Sequence, residues 1–200
     1  MTVHPIEAQS YRILRQRIDL RVLEALPRAV IERIIHASAD VEYASTVVTD
    51  EASVRAGVNA IRTGAAIIAD VEMVRSGITG LESCCHLSDA VASAGLTRSA
   101  AAMRIAAARH PDGAIVVVGC APTALVEAVE LTRGGAFRPA LVIGLPVGFV
   151  GASESKELLR ESGIPAISNM GEKGGSAVAA AALNAIARLA RDERGGDTPG

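Results

Sequence analysis

Short runs of uninterrupted apolar residues constrain this chain most. Ala65-Ala66-Ile67-Ile68-Ala69, Ala114-Ile115-Val116-Val117-Val118 and Ala140-Leu141-Val142-Ile143 carry no polar position. A strand that faces water on one side alternates polar and apolar residues; one that does not alternate must be covered on both faces. Ile164–Ser168 reads as a further strand. The segments between read as helices: residues 6–19, a second from Pro27 to about Tyr43, 51–63 stopped by Gly64, 96–109 with Thr97 as N-cap, 122–132, 153–161 and 175–192. Apolar strands alternating with helices predict an α/β domain of three layers, a parallel sheet with helices on both faces. No repeat or low-complexity linker divides the chain, so residues 1–200 are read as one domain, ordered over about 4–190 with a flexible tail over 193–200.

Composition narrows the function. Half the residues are apolar but only 2% are aromatic, with no Trp, so the core must be built from Ala, Val, Ile and Leu. A net charge of −2 provides no basic field for nucleic acid or an anionic membrane, and stacking platforms for bases are lacking. The apolar runs are too short to span a bilayer, and the first twenty residues contain no signal-peptide core. Three cysteines, two of them adjacent, fit a reducing, cytoplasmic setting better than a disulfide framework.

In such folds ligands bind beyond the carboxyl ends of the strands. Three strand ends lead through glycine-bearing loops into helices: 119–123, 144–151 and 171–176. Such a loop either just turns the chain or presents backbone N–H groups to an anion at a helix N-terminus. Neither G-x-G-x-x-G after a strand nor G-x-x-x-x-G-K-[ST] occurs, which disfavours a nucleotide and leaves an organic polycarboxylate open. His36 projects off the apolar stripe of Ile31, Ile34 and Ile35, towards Glu32, Asp40 and Tyr43. It is either part of a solvated polar face or a general acid–base group whose pKa Asp40, four residues on, would raise. Cys84-Cys85-His86 resembles a metal motif only superficially: no second ligand pair stands out, His4 and His110 look peripheral, and no metal is expected.

Several segments, taken in order, resemble the precorrin-8X methylmutase family and its cobalt-precorrin-8 counterpart. They are Ile34-Ile35-His36-Ala37-Ser38-Ala39-Asp40, Ala69-Asp70-Val71-Glu72-Met73-Val74, Thr97-Arg98-Ser99-Ala100-Ala101, Gly119-Cys120-Ala121-Pro122-Thr123-Ala124-Leu125, the long block Gly144 to Lys156, and Gly174-Gly175-Ser176. His4-Pro5-Ile6-Glu7 and Ser10-Tyr11 match as well, and the resemblance covers about residues 4–190. It implies a flavodoxin-like sheet, a homodimer, and migration of a methyl from C-11 to C-12 of a corrin precursor to give hydrogenobyrinic or cobyrinic acid. No cofactor is implied. His36 matches the family's acid. Thr79, Arg98 and Ser99 match positions that line the active site. With Gly119, Thr123, Gly148, Lys156, Gly174, Gly175 and Ser176 in the matched blocks, they form the expected binding set for a corrin-precursor polycarboxylate. An Ala-rich helix over 175–192 offers a close-packing face for a second copy. Two other readings stand beside this one: a tetrapyrrole-binding module without catalysis, and an unrelated α/β enzyme for a phosphorylated metabolite.

Overall fold

A computed structural model describes residues 4–196, with side chains to 193. In chain order the elements are α1 (Pro5–Arg17), α2 (Ala25–Ser38), α3 (Tyr43–Thr46), β1 (Val47–Val48), α4 (Glu51–Arg62), β2 (Ile67–Ala69), α5 (Glu72–Gly77), α6 (Arg98–Arg109), β3 (Ile115–Val118), α7 (Pro122–Arg133), β4 (Leu141–Gly144), α8 (Ala152–Glu161), β5 (Ala166–Asn169) and α9 (Ser176–Gly196). The predicted strands and helices form. Three elements carried too weak a pattern to read: the two-residue β1, the four-residue α3 and the six-residue α5. The second helix ends at Ser38, short of Tyr43, because Ala39 adopts a left-handed conformation (φ 55°) and its N–H closes on Ile35 O. The last helix runs to Gly196, and Glu193 in the segment expected to be a tail pairs with Arg55 and Arg62. The rest of that tail, 197–200, lies outside the described residues.

The three-layer α/β architecture is as expected, but the sheet is mixed. Its order is β1-β5-β4-β3-β2; β2 to β5 run parallel, and β1 joins the β5 edge antiparallel, Val47 opposite Asn169. The parallel strands thus follow one another in sequence, unlike the 2-1-3-4-5 order of flavodoxin. This arrangement places successive crossover helices side by side: α6 packs on α7 and α7 on α8, all on one face. Alternate strand residues separate the two cores. Ile68, Val116, Val118 and Val142 face α6–α8. Ile67, Ile115, Val117, Leu141, Ile143 and Ile167 face α2, α4 and α9.

Packing on the α9 face is close. The Ala-rich stripe of α9 is buried against α2, α4, α5 and the sheet, so it is not available to a second copy as the sequence suggested. Gly57, mid-helix in α4, lies so near Leu141 that a Cβ would approach Leu141 Cδ2 to 2.7 Å and Ile186 Cδ1 to 3.2 Å. Alanine normally favours a helix over glycine by about 1 kcal/mol. Here overpacking outweighs that preference, and Gly57→Ala should destabilise the protein by about 1–3 kcal/mol. A higher denaturant midpoint for the variant would show that α4 is free to move off the sheet.

Candidate functional site

The carboxyl ends of the parallel strands bear four loops joined by specific bonds. Asp70, directly after β2, is almost fully buried, and its carboxylate accepts from three consecutive backbone N–H groups after β3: Gly119 (3.1 Å), Cys120 (2.9 Å) and Ala121 (2.8 Å). Burial pushes the Asp70 pKa up, outweighing the downward pull of those N–H donors. The donors that the sequence suggested for an external anion are therefore already committed within the chain. Asp70 plays the anion's part at the entry to α7.

Gly119 also fits tightly against the start of α9: a Cβ there would lie 2.9 Å from Ser176 Cα and 2.8 Å from Val74 Cγ2. Gly175 N–H donates to Leu145 O (2.8 Å) and Gly148 N–H to Glu172 O (3.1 Å), joining the loops after β4 and β5. Gly174 has no room for a side chain, since a Cβ would meet Leu145 O at 2.2 Å. Thr97 caps α6 by accepting from Ala100 N–H, and its hydroxyl lies 2.8 Å from that of Thr123 on α7. The N-termini of α6 and α7 are thereby adjacent. Arg98, Ser99 and Thr123 stand on that shared edge, Arg98 exposed and, among the described residues, without an ion-pair partner.

Lys156 behaves differently from its neighbours in the expected set. It is fully buried, and its ammonium donates to Asn169 Oδ1 (3.1 Å) and Lys173 O (2.7 Å), bracing the loop between β5 and α9. Burial lowers its pKa to about 8. Any influence it has on a ligand passes through that loop. Thr79, exposed beyond α5, is fixed through its N–H to Asn184 Oδ1 on α9 (3.0 Å).

His36 lies in the other layer, half-buried on the last full turn of α2. Its Nδ1 is 2.8 Å from Ser10 Oγ, and its ring stacks on Tyr11 at 5.0 Å and 16°. The chain reaches it through α1, which buries only Leu14 and is held mainly by charge. Arg15 forks onto the Glu32 carboxylate at 2.9 and 2.7 Å, and Glu7 pairs with Arg33 at 3.0 Å and Arg188 at 3.3 Å. Asp40 does not serve His36. Because α2 ends at Ser38, Asp40 leaves the helical register and pairs with Lys173 at 2.6 Å. The His36 pKa is lowered, by burial first and the Arg33 charge second, against a smaller upward pull from Glu7. Ser10 and Tyr11, which fix the imidazole, were visible in the sequence only as a matched segment of the resemblance, with no role attached. A separate cleft of about 410 Å³ lies between the end of α1 and the start of α2, at the far end of α2 from His36. Several of its charges are satisfied internally, Arg15 by Glu32 and Arg21 by Asp19.

The arrangement thus has a hydroxyl-held imidazole on one side of the sheet and, on the other, an unpaired guanidinium with hydroxyls at two helix N-termini. Removing the Asp70 carboxylate leaves enclosed N–H groups without an acceptor. Asp70→Ala should cost about 3–5 kcal/mol in denaturant unfolding, with Asp70→Asn intermediate. A loss below 1 kcal/mol would show that water replaces the carboxylate.

The chain is similar to known proteins over most of its length. The family model for precorrin-8X methylmutase matches residues 5–189. A cobalt-precorrin-8 methylmutase of Methanocaldococcus jannaschii is 42% identical over 170 residues, covering 82% of this chain and 80% of that protein. A precorrin-8X methylmutase of Pseudomonas aeruginosa is 39% identical over 195 residues, covering 91% and 93%. The crystal structure of a precorrin-8X methyl mutase from Thermus thermophilus superposes with a TM-score of 0.84 at 40% identity, covering 95% of this chain and 99% of that one.

Proposed function

Because the chain belongs to the precorrin-8X methylmutase family, we propose that it is an isomerase of corrin biosynthesis in which His36 acts as general acid. The methyl leaves C-11 and bonds to C-12 of the same macrocycle, so no atom enters or leaves and the reaction balances without a co-reactant. Migration interrupts conjugation at one carbon and restores it elsewhere. A hydrogen bond or proton delivered to the ring as the methyl moves stabilises the charge that develops. The observation that carries this reading is the fixing of His36: Ser10 orients one ring nitrogen and Tyr11 holds the ring plane.

Burial disfavours the imidazolium in the free enzyme. A substrate rich in carboxylates reverses that balance on binding, since nearby negative charge favours the protonated form. The acid is thereby armed where it is used. Arg98 is suited to grip one acetate or propionate arm with its planar fork, with Ser99, Thr123 and Thr79 offering hydroxyls to others. Gly119, Gly148, Gly174, Gly175 and Ser176 shape the floor beneath. Metal-free and cobalt-bearing precursors present the same arms to these groups.

The protein acts as a homodimer in this reading. Phe149 and Val150 on the loop after β4 are 95% and 89% exposed, and Val147 on the same loop and Met170 after β5 are exposed as well. So much apolar surface at a functional rim favours coverage by a second copy. Light scattering should give twice the 20.5 kDa mass of the chain at micromolar concentration. Its three free thiols suit the reducing cytoplasm.

Single-turnover rearrangement, followed by visible spectrum with enzyme in excess, tests the assignment. His36→Ala and His36→Asn should slow it by roughly 10²–10⁴-fold while product still binds. Near-wild-type rates in either variant would remove His36 from the mechanism; product binding without rearrangement by the wild type would mark a binding module. Arg98→Ala should weaken product binding by about 1.5–3 kcal/mol, and Arg98→Lys by less.

The pH dependence has a definite sign. In the free protein an NMR titration should place His36 below the ordinary imidazole value of about 6.5. The acid form is lost as pH rises through that pKa, so kcat/KM should fall with rising pH across it. This limb should vanish in His36→Asn.

A further inference from the structure

At the outer edge of β2 the chain brings His110 up to the Cys84-Cys85-His86 segment and so gathers three metal-binding side chains. Residues 83–85 run alongside β2: Cys84 N–H donates to Ile67 O (2.9 Å) and Ala69 N–H to Cys84 O (2.8 Å), so the Cys84 backbone is fixed to the sheet. Side chains two apart on an extended segment share a side, which puts Cys84 with His86 and turns Cys85 away, towards Glu72. His110, the C-terminal cap residue of α6, joins them from a different element. One donor atom from each of Cys84, His86 and His110 lies within 4.8 Å of the other two.

His86 adds an independent observation. The residue is 8% exposed, and its Nε2 is fully enclosed and lacks any hydrogen-bond partner among the described residues. Its Nδ1 has two neighbours, Asp89 Oδ2 at 3.1 Å and Arg109 Nη1 at 2.9 Å. If Nδ1 accepts from Arg109, Nε2 carries a proton into a place with no acceptor, which is costly. If Nδ1 donates to Asp89, Nε2 presents a bare lone pair. The second tautomer avoids the stranded proton and is the form that binds a metal through Nε2; it requires Arg109, which also donates to Asp89 Oδ2 at 3.0 Å, to direct its N–H to that carboxylate and away from Nδ1. A carboxylate holding the remote nitrogen of a ligating histidine is also the usual outer support of such a site.

We propose that Cys84, His86 and His110 bind one divalent transition ion of the zinc type, with Asp89 as the positioning residue for His86. Zinc bonds of about 2.3 Å to sulfur and about 2.0 Å to nitrogen set tetrahedral ligands about 3.5 Å apart. Side-chain rotation closes the remaining gap. The Cys84 thiol, which donates to Ile67 O at 3.4 Å, releases its proton to solvent as the ion bonds to sulfur. The fourth position is left to water. The ion ties the long connection between α5 and α6 to the end of α6.

Metal content and optical spectra of the purified full chain decide this. Equilibrium dialysis against Zn²⁺ should load one ion per chain and raise the melting temperature. With Co²⁺ as probe, the wild type should show a thiolate-to-cobalt charge-transfer band and the intense visible bands of four-coordinate cobalt. Cys84→Ser should lose the charge-transfer band; His110→Ala should bind at least about 10-fold more weakly, and Asp89→Asn about 10–100-fold more weakly. Cys85→Ser, in the neighbouring residue that faces Glu72, should change nothing. Absence of stoichiometric binding, or a charge-transfer band that survives Cys84→Ser or disappears with Cys85→Ser, overturns the proposal. Asp89→Asn and His110→Ala alter residues at the surface end of the cluster, so circular dichroism of these variants separates loss of metal from loss of fold.

Discussion

The Asp70 carboxylate holds the loop-bearing edge of the sheet together. Four parallel strands end within a few residues of one another, and each must release its chain into a helix without stranding backbone N–H groups. After β3 three such groups converge on one acidic side chain from β2. That arrangement couples neighbouring strand ends, fixes the entry to α7 and thereby sets Thr123 beside Thr97. The contact of Gly119 with the start of α9 depends on the same loop path. Burial of a charge is unfavourable by itself, and the direction of the Asp70 pKa shift reflects that. Three donors in a row make it sustainable.

Much of the layered fold is legible because apolar continuity and periodicity are local signals. Val116 and Val117 announce a strand covered on both faces before any partner is known, and Gly64 and Thr97 mark helix ends by their own chemistry. What escapes is set by distant partners. Val47 and Val48 form a strand only because β5 offers an edge, and α5 exists because Gly77 lets it approach Ala180. Strand order is invisible for the same reason. At the candidate site, residue identity singles out segments but not what each side chain is already doing. Lys156 reads as a cation for a ligand and is a brace. The amides after β3 read as an anion cradle and are occupied from within. Asp40 reads as a partner of His36 because helical spacing is carried past a left-handed Ala39, two residues beyond the end of α2 at Ser38.

The two sides of the sheet divide the work unequally. Arg98, Ser99 and Thr123 rise from the α6–α7 layer, where the helices pack closely on one another. His36 and its supports sit under α1, which is attached through the Glu32, Glu7 and Arg33 ion pairs more than through apolar contact. Such a helix is held in position by directional bonds while retaining little cohesion of its own. The imidazole is therefore fixed by an element with lower local stability than the sheet.

Sequential strand order has a consequence for how the chain acquires its structure. Each crossover covers the same side as it forms, so the α6–α8 side is sealed progressively from β2 to β5. The opposite side cannot be finished that way. There α4 packs on β4 and β5, while Ile115 and Val117 on β3 wait for α9 to lie down beside α2 and α4. During synthesis the ribosome therefore displays a half-dressed sheet, sticky on one side, whose protection is completed only when α9 arrives.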